Sequence, residues 1–199
     1  ALRYLLFALA GSLLYLLGAV LLYGAYGTLD IALLAQRIEP GPVAWIAGAL
    51  MTAGLLAKTA LFPLHLWLPP AHAGAPAAAS AVLSALVVKG SWFLTVRLWF
   101  DVLGHGIASS GAGQLLGGLG ATAIVVGSIV ALRQQRLKLL VAYSTIAQLG
   151  FMLLGMASGV VYGNTVSAGN SYASSMFYIV TYVLTTLGTF GLIMFLSRQ

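Results

Sequence analysis

The chain has no cysteine among its 199 residues. Disulfides, thiolate metal sites and iron–sulfur ligation are therefore excluded from it. Charge is nearly as scarce: 6% of the residues are charged, and only three of them are acidic. Soluble domains carry roughly 25% charged residues. Water cannot solvate a surface of this composition, so lipid must cover most of it. With so few acids there is no paired-carboxylate site. The sequence also lacks a phosphate-binding glycine loop followed by Lys-Ser/Thr, an HExxH motif and a serine triad, which removes the common soluble enzyme classes. Nine basic residues give a formal net charge of +6. They are too few and too dispersed to build the stripe a nucleic acid needs. Orientation of short loops at a bilayer accounts for them more simply.

What the chain does have is apolar length, with 61% hydrophobic residues. Six runs, at about 4–26, 43–66, 78–99, 115–132, 139–156 and 176–196, match the thickness of a bilayer core. They do not alternate as barrel strands do. The first run is too long for the apolar region of a signal peptide, and more spans follow it, so it reads as a retained helix. The expectation is an all-α integral membrane protein with about six transmembrane helices in a single domain over residues 1–199. The second run meets Pro63, which should kink or end the helix. Three prolines and a glycine make Trp67–Ala77 an irregular stretch. A short interfacial helix is expected near Leu29–Ala35. Glycines from Gly104 to Gly113 mark a loop, Arg133–Lys138 forms a basic turn, and Asn164–Ser175 reads as a polar loop. The chain opens inside an apolar run without an initiator Met, as a piece of something longer would.

Six spans place both ends on one side. That side collects Arg3, Arg133, Arg136, Lys138 and Arg198, and the other collects Arg37 and Arg97 with Asp30, Glu39 and Asp101. The basic bias puts both ends in the cytoplasm of a bacterial or archaeal plasma membrane. Trp45, Trp67 and Trp99, near run ends, read as interface anchors. Gly11, Gly18, Gly24, Gly188 and Gly191 suit close helix packing.

Two lysines lie inside apolar runs. Lys89 is about the twelfth residue of its run, near half-way at about 1.5 Å per residue. A charge there costs at least ~2.5 kcal/mol on insertion scales, so it must face a protein interior or a wet cavity. Burial disfavours the ammonium and a neighbouring carboxylate favours it, and that opposition suits a proton relay. The alternative is a lysine paired for packing alone. Lys58 precedes Pro63 by five residues, in the kind of broken helix that lines cavities; its alternative is an interfacial lysine at a helix end. His65 follows Lys58 by seven residues, on the same face if helicity persists. Histidine changes charge near neutral pH, although a plain structural hydrogen bond is an equal reading. His72 sits in the proline-rich stretch and carries a weaker functional signal, and His105 reads as a loop residue. No Asp, Glu or Cys stands nearby to complete a metal site with His65 and His72. Tyr143, Ser144, Thr145 and Gln148 enter the fifth run, either as helix–helix hydrogen bonds or as polar lining.

The segment AKTALFPLHLWLPPAHAGAPAAASAVLSALVVKGSWFL resembles the core of the proton-conducting antiporter-like family. Members of that family are large membrane subunits of respiratory complex I, Mrp-type cation/proton antiporters and membrane-bound hydrogenases. LRQQRLKLLVAYSTIAQLGFMLLG resembles its second signature, a basic turn followed by Ala-Tyr-Ser-Thr/Ser. The resemblance covers essentially the whole chain. It implies the central part of a subunit of about fourteen helices. Lys58 would lie on the broken seventh helix, in a proton half-channel with a glutamate from the fifth, and Lys89 would lie on the eighth helix along a central polar axis. His65 matches a position followed by Trp-Leu-Pro, which suggests a conformational role beside any proton relay. The implied function is a proton-translocating subunit of a redox-driven assembly such as NADH-quinone oxidoreductase, with an Mrp-type cation/proton antiporter as the alternative. Implied partners are other membrane subunits, the lipid bilayer and protons, with sodium as the alternative cation. No cofactor and no metal is expected. Two departures stand out: Pro70 takes the place of the family's acid, and Ala77-Ala78-Ala79 replaces Thr-Pro-Val. The chain also lacks a membrane-embedded acid, so the partner glutamate is expected on a helix before residue 1 and a later lysine helix after residue 199.

Overall fold

The structure, a computed structural model, describes residues 2–105, 110–162 and 165–196. These residues are helical nearly throughout. Helix α1 spans Leu2–Tyr26, α2 Ile31–Arg37, α3 Pro42–Lys58 and α4 Leu68–Gly74. A continuous helix, α5, covers Ala77–Val102. It is followed by α6 at Ser110–Leu132, α7 at Leu137–Tyr162 and α8 at Thr165–Leu196. Five of them (α1, α5, α6, α7 and α8) are long and apolar enough to cross a membrane. Helix α3 is apolar but shorter, and a 3-10 turn at Leu64–Trp67 separates it from α4.

Several boundaries differ from the sequence reading. The polar stretch from Thr165 to Ser175 is the first part of α8, not a loop. Helix α6 begins at Ser110, so Gly111 and Gly113 are helical, and His105 closes a short 3-10 turn. Gly106, Asn164 and Arg198 lie outside the described residues. The interfacial helix forms at Ile31–Arg37, where the Asp30 carboxylate accepts the Leu33 amide at 3.0 Å. That bond satisfies one of the free donors of a helix start.

Helices pack where small residues allow. An added Cβ at Gly11 would lie 2.8 Å from the Gly54 carbonyl, and one at Gly18 would lie 2.7 Å from the Ala47 carbonyl. Helices α1 and α3 therefore touch backbone to backbone. Helix α6 meets α7 in the same way through Gly113, Gly120 and Gly127, one every seven residues. The facing residues run from Val161 through Gly150 to Tyr143, which makes the pair antiparallel. Gly24, Gly188 and Gly191, also expected to pack closely, have nothing within 4 Å of an added Cβ. Helix α5 contacts α3 on one side and α8 on the other, and α4 packs on α7. Outside, α1 and α8 expose Leu5, Leu9, Leu13, Leu184, Leu192 and Phe195. Such an apolar exterior suits lipid and not water.

Trp67 and Trp99 are buried, 2% and 6% exposed, and only Trp45 of the three expected anchors is open, at 42%. The buried pair tie helices together. The Trp67 indole donates to the Ala57 carbonyl at 2.8 Å, and the Trp99 indole to the Thr52 hydroxyl at 3.1 Å.

Candidate functional site

Lys89 stands twelve residues after the start of α5 and thirteen before its end, so it lies near mid-span. It is 3% exposed, and its Nζ finds no hydrogen-bond partner among the described residues. It stands over the Tyr182 ring of α8, 4.3 Å from Nζ to centroid. Cation–π contacts of this kind are worth about 2 kcal/mol when desolvated. The Tyr182 hydroxyl donates to Thr145 Oγ1 of α7 at 3.1 Å, and Thr145 in turn donates to the Val141 carbonyl at 2.8 Å. One turn away, the Tyr178 hydroxyl donates to Gln148. A polar line thus leads from Lys89 across α8 into α7. Among the described residues no carboxylate joins it. Among the described residues the one ion pair is Arg97 with Asp101, at 2.8 Å and half-exposed.

Lys58 closes α3. Thr59 caps the helix, its hydroxyl donating to the Leu55 and Leu56 carbonyls, and Ala60 turns the chain at a left-handed φ of 56°. Helicity does not persist from Lys58 to His65, so the expected common face is lost. The break comes at Lys58, ahead of Pro63. Lys58 is half-buried and borders a cavity of about 120 Å³ with Tyr4, Ala8, Ala57, Trp67, Val87 and Ser91. Val87 and Ser91 are one turn apart on α5, and Lys89 lies between them, about 200° around the helix from each. The two lysines therefore address opposite faces of α5: Lys58 the α1 side, Lys89 the α8 side.

His65 is 8% exposed and stacks on Phe62 at 5.5 Å, with Nδ1 unpartnered. His72 is more deeply buried, at 0% exposure, and stacks on Phe190 of α8 at 5.4 Å. Neither of its ring nitrogens has a partner. The sequence reading gave Tyr182 no role, although Tyr178, Tyr182 and Thr186 recur at helical spacing.

This interior defines a multi-pass helical membrane protein with a lysine buried at mid-span. Residues 1–199 match the family described as NADH:quinone oxidoreductase/Mrp antiporter, TM, and the chain belongs to that family. A NADH-quinone oxidoreductase subunit N from Herminiimonas arsenicoxydans is 42% identical over 193 residues, which cover 95% of this chain and 38% of that protein. The corresponding protein of Polaromonas naphthalenivorans is 37% identical, with the same coverage. The chain therefore spans about two fifths of the length of the curated relatives it matches. Among solved structures, a membrane-bound sulfane sulfur reductase, an archaeal respiratory membrane complex, contains a chain that superposes with a TM-score of 0.84 at 30% identity, covering 98% of this chain and 38% of its own. A chain of respiratory complex I from Thermus thermophilus gives 0.73 at 32% identity, covering 97% and 39%. One from the Mrp complex of Dietzia sp. DQ12-45-1b gives 0.80 at 23%, covering 94% and 33%, a likeness of fold.

Proposed function

We propose that this chain is part of a proton-translocating, antiporter-like membrane subunit of a redox-driven assembly, such as NADH-quinone oxidoreductase, in which Lys89, Lys58 and His65 relay protons. The observation that carries the reading is Lys89, 3% exposed at mid-span and without a carboxylate partner among the described residues. An amine desolvated there can exist with or without its proton, which is what a relay requires. The names of the relatives in bacteria point to the redox-driven form. Electron transfer would belong to other subunits. This segment would be the central part of a subunit of about fourteen helices, and a neighbouring helix would supply the carboxylate facing Lys58. Because Lys58 and Lys89 address opposite faces of α5, protons would pass between them around that helix and not by direct contact. Arg3, Arg133, Arg136 and Lys138, at one end of the bundle, support a cytoplasmic location for that end.

The test is proton uptake by the complete assembly in sealed liposomes, for wild type, Lys89→Met and Lys58→Met. It is driven once by an electron donor and once by an imposed sodium gradient. Uptake that follows the donor and falls in both variants, with assembly intact, supports the proposal. Uptake that follows only the sodium gradient makes the chain an antiporter subunit. Normal uptake in both variants removes the relay role from the lysines.

A further inference from the structure

Two close helix pairs leave a seam between them. Helix α3 packs on α1, and α6 packs on α7, in each case through glycines. Helices α3 and α6 instead stand on either side of a cavity of about 340 Å³. Trp99 and Leu103, at the end of α5, close its third side. An added Cβ at Gly48 would lie 3.2 Å from Leu103, so α3 meets that side closely. On α3 the lining runs from Trp45 through Ala49 and Ala53 to Leu56, and on α6 from Leu115 to Leu119.

Hydrocarbon makes up most of the wall. Its hydroxyl, on Thr52, accepts the Trp99 indole at 3.1 Å, so these two polar groups satisfy each other. The rest is glycine, alanine, leucine and the Trp45 side chain. Water finds too few partners in such a space, and leaving it empty forfeits dispersion contacts along every wall. The mouth meets the apolar exterior: Leu115 is 64% exposed and Trp45 42% exposed, continuous with the surface that suits lipid. The depth fits as well. From Trp45 to Leu56 is eleven residues, about 16 Å at the rise of an α-helix. One leaflet supplies about 15 Å, half the hydrocarbon core of a bilayer. Tryptophan favours the headgroup level. Trp45 stands three residues inside the start of α3, at the end of the bundle away from the Arg133–Lys138 turn.

We propose that this seam is a lipid site, in which one acyl chain of a membrane phospholipid lies between α3 and α6. Its headgroup stands at the level of Trp45, and the chain end lies near Leu56 and Leu119. The small side chains of Ala49 and Ala53 leave room for it. The lipid is then a packing element of the bundle, filling between the two helix pairs what neither pair fills with side chains.

The test uses the complete assembly in nanodiscs containing phosphatidylethanolamine with a diazirine at the end of one acyl chain. After irradiation, labelled peptides are mapped by mass spectrometry in wild type, Ala49→Phe and Ala53→Phe. Labelling of Leu56 and Leu119 is expected in wild type. It is expected to be lost in both variants, whose rings occupy the seam, while total labelling of the assembly is unchanged. No label at Leu56 and Leu119 in wild type, with the rest of the assembly labelled, would overturn the proposal. Protein would then cover the seam, from a further segment of the same subunit or from a neighbouring one. Label that persists unchanged in both variants would overturn it too, because the chain would reach those residues by another route. Should neither variant assemble, the wild-type map decides alone. Proton uptake does not enter the readout, so this site and the relay reading stand or fall separately.

Discussion

Tyr182 has two separable roles, and substitution divides them. Its ring lies 4.3 Å from Lys89 Nζ, and its hydroxyl donates to Thr145 at 3.1 Å. Tyr182→Phe keeps the ring and removes one hydrogen bond between helices. Such bonds in membranes average about 0.6 kcal/mol and reach about 1.7 kcal/mol. Tyr182→Leu removes the bond and also the cation–π contact, worth about 2 kcal/mol in a desolvated site. The expected losses are therefore about 0.6 kcal/mol for Phe and about 2–3 kcal/mol for Leu. The assay is denaturant unfolding of the purified assembly in nanodiscs, followed by a probe on this segment. Adding Thr145→Val closes a cycle: with Tyr182→Phe the double variant should cost about 0.6 kcal/mol less than the sum of the singles. Transport in Tyr182→Phe should stay near wild type, whereas Tyr182→Leu should slow it. Equal losses for Phe and Leu, or strict additivity with Thr145→Val, would refute the assignment.

Three other outcomes follow from the packing and the break. Gly127→Ala would set a Cβ 2.7 Å from the Ala147 amide and 3.0 Å from the Tyr143 carbonyl, both backbone. It should cost about 1–3 kcal/mol in thermal unfolding as α6 and α7 part, whereas Gly118→Ala, with nothing within 4 Å, should be neutral. Ala60→Gly removes a side chain held at a φ of 56° and should raise stability by up to about 1 kcal/mol; a lower melting temperature would count against strain at the break. Lys138→Met deletes the 3.0 Å bond to the Ala75 carbonyl, so amides around Ala75 should lose hydrogen-exchange protection by about 1 kcal/mol.

Much of the architecture is legible because lipid demands long apolar runs, and interior charges in such runs are few enough to name. Lys89 emerges at once, because a mid-span ammonium has to face a protein interior or a wet cavity. Lys58 emerges as well, but its surroundings do not. A proline suggests a kink at its own position, whereas the helix stops five residues earlier at Lys58, just before a left-handed alanine, Ala60. That stop depends on the tertiary cap from the Trp67 indole to the Ala57 carbonyl. For the same reason the helical spacing from Lys58 to His65 misleads. The π turn before Lys89 is equally silent in sequence, since Leu83–Val87 is an ordinary apolar stretch. Trp67 and Trp99 look like interface anchors by position, yet they bury their rings and spend their N–H groups on neighbouring segments. His72 hides because its neighbours in sequence are small and apolar, and its burial comes from Phe190, more than a hundred residues away.

The central claim is that Lys89 exchanges a proton and does not merely hold a charge. Lys89→Arg separates the two, because a guanidinium keeps its proton in any protein setting. The decisive measurement is donor-driven proton uptake by the complete assembly in sealed liposomes, with assembly verified for each variant. The account predicts that Lys89→Arg is as deficient as Lys89→Met. Uptake near wild type in Lys89→Arg, with Lys89→Met inactive, would show that a fixed positive charge suffices and would contradict it.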